Sequence, residues 1–139
     1  MRNRTKSREC ALQILYAVEI RKEPADSCIK MFWDNHSDGI DEVREFANLL
    51  VGGVSENKEK IDSIISKHAT NWHIKRMATI DRNVLRIATF ELLFTDDIPP
   101  KVSLNEAIEL AKKYGDKDSG KFVNGILDQI KKSELKEKV

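Results

Sequence analysis

The stretch Ala78-Thr79-Ile80-Asp81-Arg82-Asn83-Val84-Leu85-Arg86-Ile87-Ala88-Thr89-Phe90-Glu91-Leu92-Leu93-Phe94 decides the fold class. Ile80, Val84, Ile87, Ala88 and Leu92 recur at helical spacing, and neither glycine nor proline interrupts them. Such a run predicts a long helix from about Ala78 to Phe94 with one face turned inward. Glu91 falls near that face, beside Ile87 and Ala88. A buried carboxylate without a partner is costly, so Glu91 is expected to accept helix-terminal amides or to pair with a cation. No second acid or base stands at a fixed offset from it, which favours a structural tie over a catalytic acid.

Toward the C-terminus, Pro99-Pro100 separates this helix from a sixth. There Ser103-Leu104-Asn105-Glu106 matches the S-x-x-E capping box. Gly115 follows as a C′ glycine would. Asp118 or Ser119 then opens a last helix bearing Phe122, Val123, Ile126, Leu127 and Ile130, and the charged tail after about residue 133 is expected to fray. Toward the N-terminus, Trp72-His73-Ile74 reads as a turn, preceded by a helix with Ile61, Ile64, Ile65 and His68 that Ser55 or Asn57 can cap. A third helix carries Val43, Phe46, Leu49, Leu50 and Gly53. Its Gly52-Gly53 pair costs roughly 1 kcal/mol per residue against alanine and suggests a close helix contact. Pro24 suits the first turn of a short helix ending near Trp33, with Asn35 to Gly39 as a loop. The first helix should span about Asn3 to Arg21, with Ala11, Ile14, Leu15 and Val18 as its apolar stripe. No strand-period alternation, repeat or interior linker is visible. The reading is all-α, one domain over residues 1–139.

With 40% apolar and 34% charged residues, the chain is neither disordered nor membrane-embedded. No apolar run approaches the ~20 residues that span a bilayer. The basic N-terminus leads into an amphipathic pattern rather than a signal-peptide core, so a cytoplasmic protein is expected. Cys10 and Cys28 are too few for a disulfide framework or a zinc site, and no metal or cofactor is implied. The histidines His36, His68 and His73 are scattered. H-E-x-x-H, G-x-S-x-G, the P-loop and the Rossmann glycine pattern are all missing, so no catalytic constellation can be assembled.

The formal net charge of +1 hides an asymmetry. Residues 1–8 carry Arg2, Arg4, Lys6 and Arg8 and no acid, whereas residues 23–62 carry ten acids against four bases. A solvated terminus would explain the first cluster, but so would a polyanion docking on one side and repelled from the other. Arginine forks match phosphate oxygens bidentately. About four phosphate contacts on single-stranded RNA imply a log–log salt slope near −2.8, a loss of about fifty-fold between 50 and 200 mM salt. At the start of the last helix, Asp118-Ser119-Gly120-Lys121-Phe122 combines free amides, a lysine and an aromatic ring that could meet phosphate and base together. Phe122 is also in period with Ile126 and Ile130, and a core role stays open for it. Asp81 suits the dipole at its helix start or could present charge to a basic partner.

Four segments resemble the signatures of the NusB family. They are Arg8-Glu9-Cys10-Ala11-Leu12-Gln13-Ile14-Leu15-Tyr16, Ile80-Asp81-Arg82-Asn83-Val84-Leu85-Arg86-Ile87-Ala88, Ser103-Leu104-Asn105-Glu106-Ala107-Ile108-Glu109-Leu110-Ala111-Lys112 and Lys121-Phe122-Val123-Asn124-Gly125-Ile126-Leu127-Asp128. They stand in the family's order and cover nearly the whole chain. The resemblance implies seven helices in two three-helix bundles packed crosswise. It implies a non-catalytic transcription antitermination factor that binds the boxA element of nascent RNA together with NusE, a small-subunit ribosomal protein. The complex then joins RNA polymerase with NusA and NusG. By the same resemblance the N-terminal basic residues form an RNA-binding arm, here with Thr5 and Ser7 interspersed where many relatives have consecutive arginines. Asp118 and Phe122 match positions near the RNA surface, and Tyr16 and Asp81 match positions facing NusE.

Two other functions fit parts of the pattern. A NusB-like fold also precedes the catalytic domain of some ribosomal RNA cytosine methyltransferases, but no methyltransferase region or catalytic cysteine motif stands in these residues. A protein–protein adaptor for NusE with incidental RNA contact is the second alternative.

Overall fold

In a computed structural model, which describes residues 2–36 and 40–135, the chain is helical throughout. The elements are α1 (Arg2–Arg21), α2 (Ala25–Asp34), α3 (Asp41–Glu56), α4 (Lys58–His68), α5 (Thr79–Phe94), α6 (Pro100–Tyr114) and α7 (Ser119–Glu134), with a 3₁₀ turn at Ile74–Arg76. There is no strand among the described residues. Helices α1, α2 and α3 pack into one bundle and α5, α6 and α7 into a second. Helix α4 lies against α5 and α7, and α1 and α3 reach across to α5. The expected all-α fold of seven helices in two three-helix bundles is what forms.

Helix α5 is the shared axis. Asp81 and every residue from Asn83 to Leu92 are buried, so this helix is enclosed on all sides rather than on one face. An enclosed helix brings polar side chains inside with it: Asn83, Arg86, Thr89 and Glu91 are each at most 7% exposed. Around it one continuous core joins Leu12 and Ile14 of α1, Leu50 and Val54 of α3, Ile61 and Ile65 of α4, and Leu127 and Ile130 of α7. Leu49, expected among the apolar positions of the third helix, is instead 51% exposed.

Two local readings give way to the structure. The capping box does not form: α6 begins at Pro100 with Pro99 as its N-cap, so Ser103 already sits inside the helix, its amide bonded to the Pro99 carbonyl at 3.3 Å. Proline at the first helical position needs no amide partner and has φ preset for helix, so the start moves forward by a turn. Gly115 closes α6 with φ −94, not in a left-handed conformation. Its glycine is required by space, because a Cβ would stand 2.3 Å from Ser119 Oγ. Just past residue 133, α7 stays helical to Glu134, Leu135 is buried, and His68 Nε2 lies 3.0 Å from Glu134 Oε2, while residues 136–139 of the tail expected to fray lie outside the described residues. The His68 bond, with help from Lys67 against the pull of burial, lowers the Glu134 pKa.

The glycine pair of α3 splits into two different cases. A Cβ at Gly53 would fall 2.2 Å from Phe90 ring carbons, whereas at Gly52 it would meet nothing within 4 Å. Gly53 therefore lets α3 close onto α5, and Gly52 has no such reason. Gly53→Ala should destabilise by about 1–3 kcal/mol through overpacking. Gly52→Ala should stabilise by about 0.5–1 kcal/mol through helix propensity. Urea denaturation of the two variants should show these opposite signs.

Candidate nucleic-acid interface

Of the four N-terminal cations, Arg8 points inward. Its side chain is only 3% exposed. Nε donates to Glu91 Oε2 at 2.7 Å and one terminal nitrogen to Glu91 Oε1 at 2.8 Å, a two-pronged match of guanidinium to carboxylate. The other terminal nitrogen reaches Glu106 Oε1 at 3.2 Å. Ser103 Oγ donates to Glu91 at 2.8 Å and Thr5 Oγ1 to Glu106 at 2.6 Å. Burial by itself would lower the pKa of Arg8, but the bonds and charges of Glu91 and Glu106 outweigh it and hold the guanidinium above its ordinary value. Arg8 is thus withdrawn from the RNA-contacting set, and the cation expected opposite Glu91 is Arg8 itself. The Ser103–Glu106 pair, read in the sequence as a cap, completes this joint.

Arg4 and Lys6 remain at the surface. Arg4 lies over the Phe46 ring at 4.3 Å and meets Asp97 at 3.2 Å in an ion pair whose side chains are 43% and 67% exposed. A pair so open to water is worth little. Lys6 is exposed, on the face of α1 that also carries the exposed Gln13 and Tyr16. Arg2 begins α1, but its side chain lies outside the described residues. On this same outward face Glu9 accepts from Lys113 Nζ at 2.8 Å and from the Tyr114 hydroxyl at 3.2 Å. That contact sets α1 beside the junction of α6 and α7.

At that junction Asp118 is the N-cap residue of α7 but makes no side-chain cap; Asp118 and Lys121 are exposed, and Phe122 is half-buried. Phe122 packs on the core edge and also meets Trp72 edge-to-face, ring centroids 5.8 Å apart at 81°. Core packing and an open ring edge therefore coexist in Phe122. Asp81 lines a cavity of about 330 Å³ together with Asp118 and Phe122. It is 8% exposed, and its Oδ1 has no hydrogen-bond partner. Burial raises its pKa, the Ser119 hydroxyl opposes this, and the Asp116 charge adds to it.

The NusB family model matches residues 5–132. The transcription antitermination protein NusB of Syntrophus aciditrophicus is 45% identical over 94% of this chain and 80% of its own length. The chain belongs to the NusB family. Among solved structures, NusB from T. maritima superposes with a TM-score of 0.86 at 40% identity, over 98% of this chain and 97% of that one. The antitermination factor NusB solved with NusE and double-stranded RNA superposes with a TM-score of 0.88 at 34% identity, over 96% of this chain and 98% of that one.

Within this NusB-family chain, sequence reasoning overlooked a second ionic joint and one aromatic residue. Glu19 receives Arg82 and, at 3.0 Å, Arg86, while Arg86 grips Asp62 through two bonds of 2.8 and 3.0 Å. Burial pushes the Glu19 pKa up, and the two arginines overcome it and bring it below the ordinary value. The overlooked aromatic residue is Trp72, 52% exposed; the signal was a tryptophan in a polar turn without helical period. No helix among the described residues is long and apolar enough to cross a membrane.

Two stability measurements test this NusB-type site. Arg8→Met leaves Glu91 buried without its cation and should cost about 3–5 kcal/mol in urea denaturation, much of it recovered in Arg8→Met/Glu91→Met. Asp81 binds its proton more tightly in the folded state, so its charged form lowers stability at neutral pH, and this cost is relieved as pH falls through its raised pKa. Asp81→Asn should therefore raise Tm at pH 7, with the gain shrinking toward the ordinary carboxylate pKa of about 4. A gain independent of pH would contradict the assignment.

Proposed function

We propose that this chain is a non-catalytic transcription antitermination factor. It binds the boxA element of nascent ribosomal RNA together with NusE and joins the RNA polymerase complex containing NusA and NusG, suppressing premature termination in the bacterial cytoplasm. The observation that carries this reading is the near-full-length superposition on NusB solved with NusE and RNA, at a TM-score of 0.88.

Arg2, Arg4, Lys6 and Lys121 supply the positive charge, and Phe122 supplies a ring for a base. Asp118, exposed at the start of α7, borders the same surface. Arg8 acts as a positioning residue: by holding α1 against α5 and α6 it fixes where Arg4 and Lys6 stand. Tyr16, exposed on α1, and Asp81, at the cavity beside Asp118, serve the NusE contact. With Arg8 withdrawn and Lys121 counted, four cations remain, and the salt slope stays near −2.8.

Fluorescence anisotropy with a boxA RNA, with NusE present and across a salt series, tests the reading. Arg4→Ala/Lys6→Ala should reduce the slope to about −1.4, leaving about a sevenfold loss between 50 and 200 mM salt. Both side chains are partly or wholly exposed, so unfolding should be little changed. RNA recruitment that stays equally tight and equally salt-dependent in this variant would instead favour an adaptor that touches RNA incidentally.

A further inference from the structure

Trp72 and Phe122 form a ridge between two clefts of opposite character. On one side lies the cavity lined by Asp81, Asp116 and Asp118. On the other is an open cleft of about 260 Å³ whose lining includes Asn71, Lys121 and Gly125 and no carboxylate. Both rings line both clefts. Trp72 follows the tight turn in which its amide bonds to the Ala69 carbonyl at 3.0 Å, and it leaves 52% of its surface in solvent. A large apolar surface held open by a turn is costly unless something covers it.

Gly125 is the second, independent observation. It stands in the interior of α7, where glycine is the poorest helix former after proline. Packing does not require it, because a Cβ there would meet nothing within 4 Å. Gly125 lines the Lys121 cleft with the two rings, and no side chain there takes up its space.

We propose that the cleft between Trp72, Phe122 and Gly125 receives one unstacked nucleobase of the bound single-stranded RNA, stacked on the indole of Trp72, with its phosphate on Lys121. This subsite rests on the RNA-binding reading above and deepens it. The indole offers a π-face that any base can use, so the contact adds affinity with little choice of sequence. Charge sets the side: a phosphodiester is drawn toward Lys121 and repelled from the three aspartates across the ridge. The base lies over the α7 backbone because a side chain at position 125 would occupy its place.

The test uses the full chain with NusE and a boxA RNA, read by anisotropy. Trp72→Ala should weaken binding about tenfold or more, with the salt slope unchanged because no charge is lost. Gly125→Leu should weaken binding similarly while keeping or raising Tm, which separates a blocked cleft from a damaged fold. Gly52→Ala, the other helix glycine with open space around it, serves as control and should leave binding as it was. Replacing the RNA bases one at a time by abasic residues should abolish the Trp72→Ala penalty at one position and leave it elsewhere. If the unaltered chain fails to bind RNA at low salt, the RNA reading itself falls. If it binds and both Trp72→Ala and Gly125→Leu bind equally well, or if the penalty persists at every abasic position, only the subsite falls.

Discussion

The buried pair Arg8–Glu91 governs how the two bundles meet. Arg8 comes from the first bundle, and Glu91 from the helix at the centre of the second. Two charges taken out of water incur a desolvation cost that their attraction offsets only when geometry is good and every remaining donor and acceptor is engaged. Here the match is close: both Glu91 oxygens receive Arg8, Ser103 donates to one of them, and the other terminal nitrogen of Arg8 finds Glu106, which also accepts from Thr5. A translation of α1 along α5 would break several of these bonds at once. An apolar contact tolerates sliding; a forked ion pair with two hydroxyl donors does not. Together with the Glu19 joint to Arg82 and Arg86, the Arg8–Glu91 pair fixes the register of α1 on α5 and with it the place of the exposed residues on that helix.

The same joint explains why like residues at the N-terminus have unlike fates. Arg4 and Arg8 are chemically identical and one helical turn apart, yet Arg8 is 3% exposed and Arg4 is 43% exposed at the side chain. Arg8 stands one turn before the buried Ala11 and Leu12, whereas Arg4 has reached the end of the core, beside Phe46 and Asp97. Charge counting treats them alike. Their place along the helix relative to the end of the core separates them, and the need of Glu91 for a cation was itself visible in the chain; the partner, however, lies 83 positions away. A local motif search has no access to that distance, because the partner is chosen by packing.

Much of the fold was legible for the opposite reason. The helices of this chain announce themselves through apolar residues spaced over three or four positions and through Pro24, Pro99 and Pro100, all of which act within one or two turns. Errors arose where a short pattern had two physical uses. Ser103 and Glu106 lie three apart, the spacing of a reciprocal cap and equally of two side chains on one helix face; Pro100 at the helix start makes the second use the real one. Gly115 after a helix suggests left-handed backbone, but the close approach of Ser119 asks for glycine just as strongly. The enclosure of α5 was hidden in the sequence, because Asn83, Arg86, Thr89 and Glu91 interrupt its apolar residues and the remaining stripe suggested a single buried face. Around the candidate interface, Lys6 and Lys121 were identified by charge, whereas Trp72 carries neither charge nor period and acquires meaning only from its neighbour Phe122.

Polar satisfaction is distributed unevenly across the molecule. At the α1–α5–α6 joint, buried charges are fully engaged. Along the ridge of Trp72 and Phe122, unfavourable features gather instead: a largely exposed indole, a glycine in the interior of a helix with nothing packed on it, and a buried carboxylate oxygen without a partner at Asp81. Each has a neutral explanation when taken alone, as does the unpartnered Thr89 hydroxyl deeper in α5. Their convergence on one pair of clefts is harder to attribute to chance, since selection for stability alone would cover the indole, fill the cleft and satisfy or remove the carboxylate. A rigid joint fixing α1 and a deliberately incomplete surface beside α7 complement each other. The first fixes where the exposed cations of α1 stand, and the second is the surface on which the proposed base subsite rests.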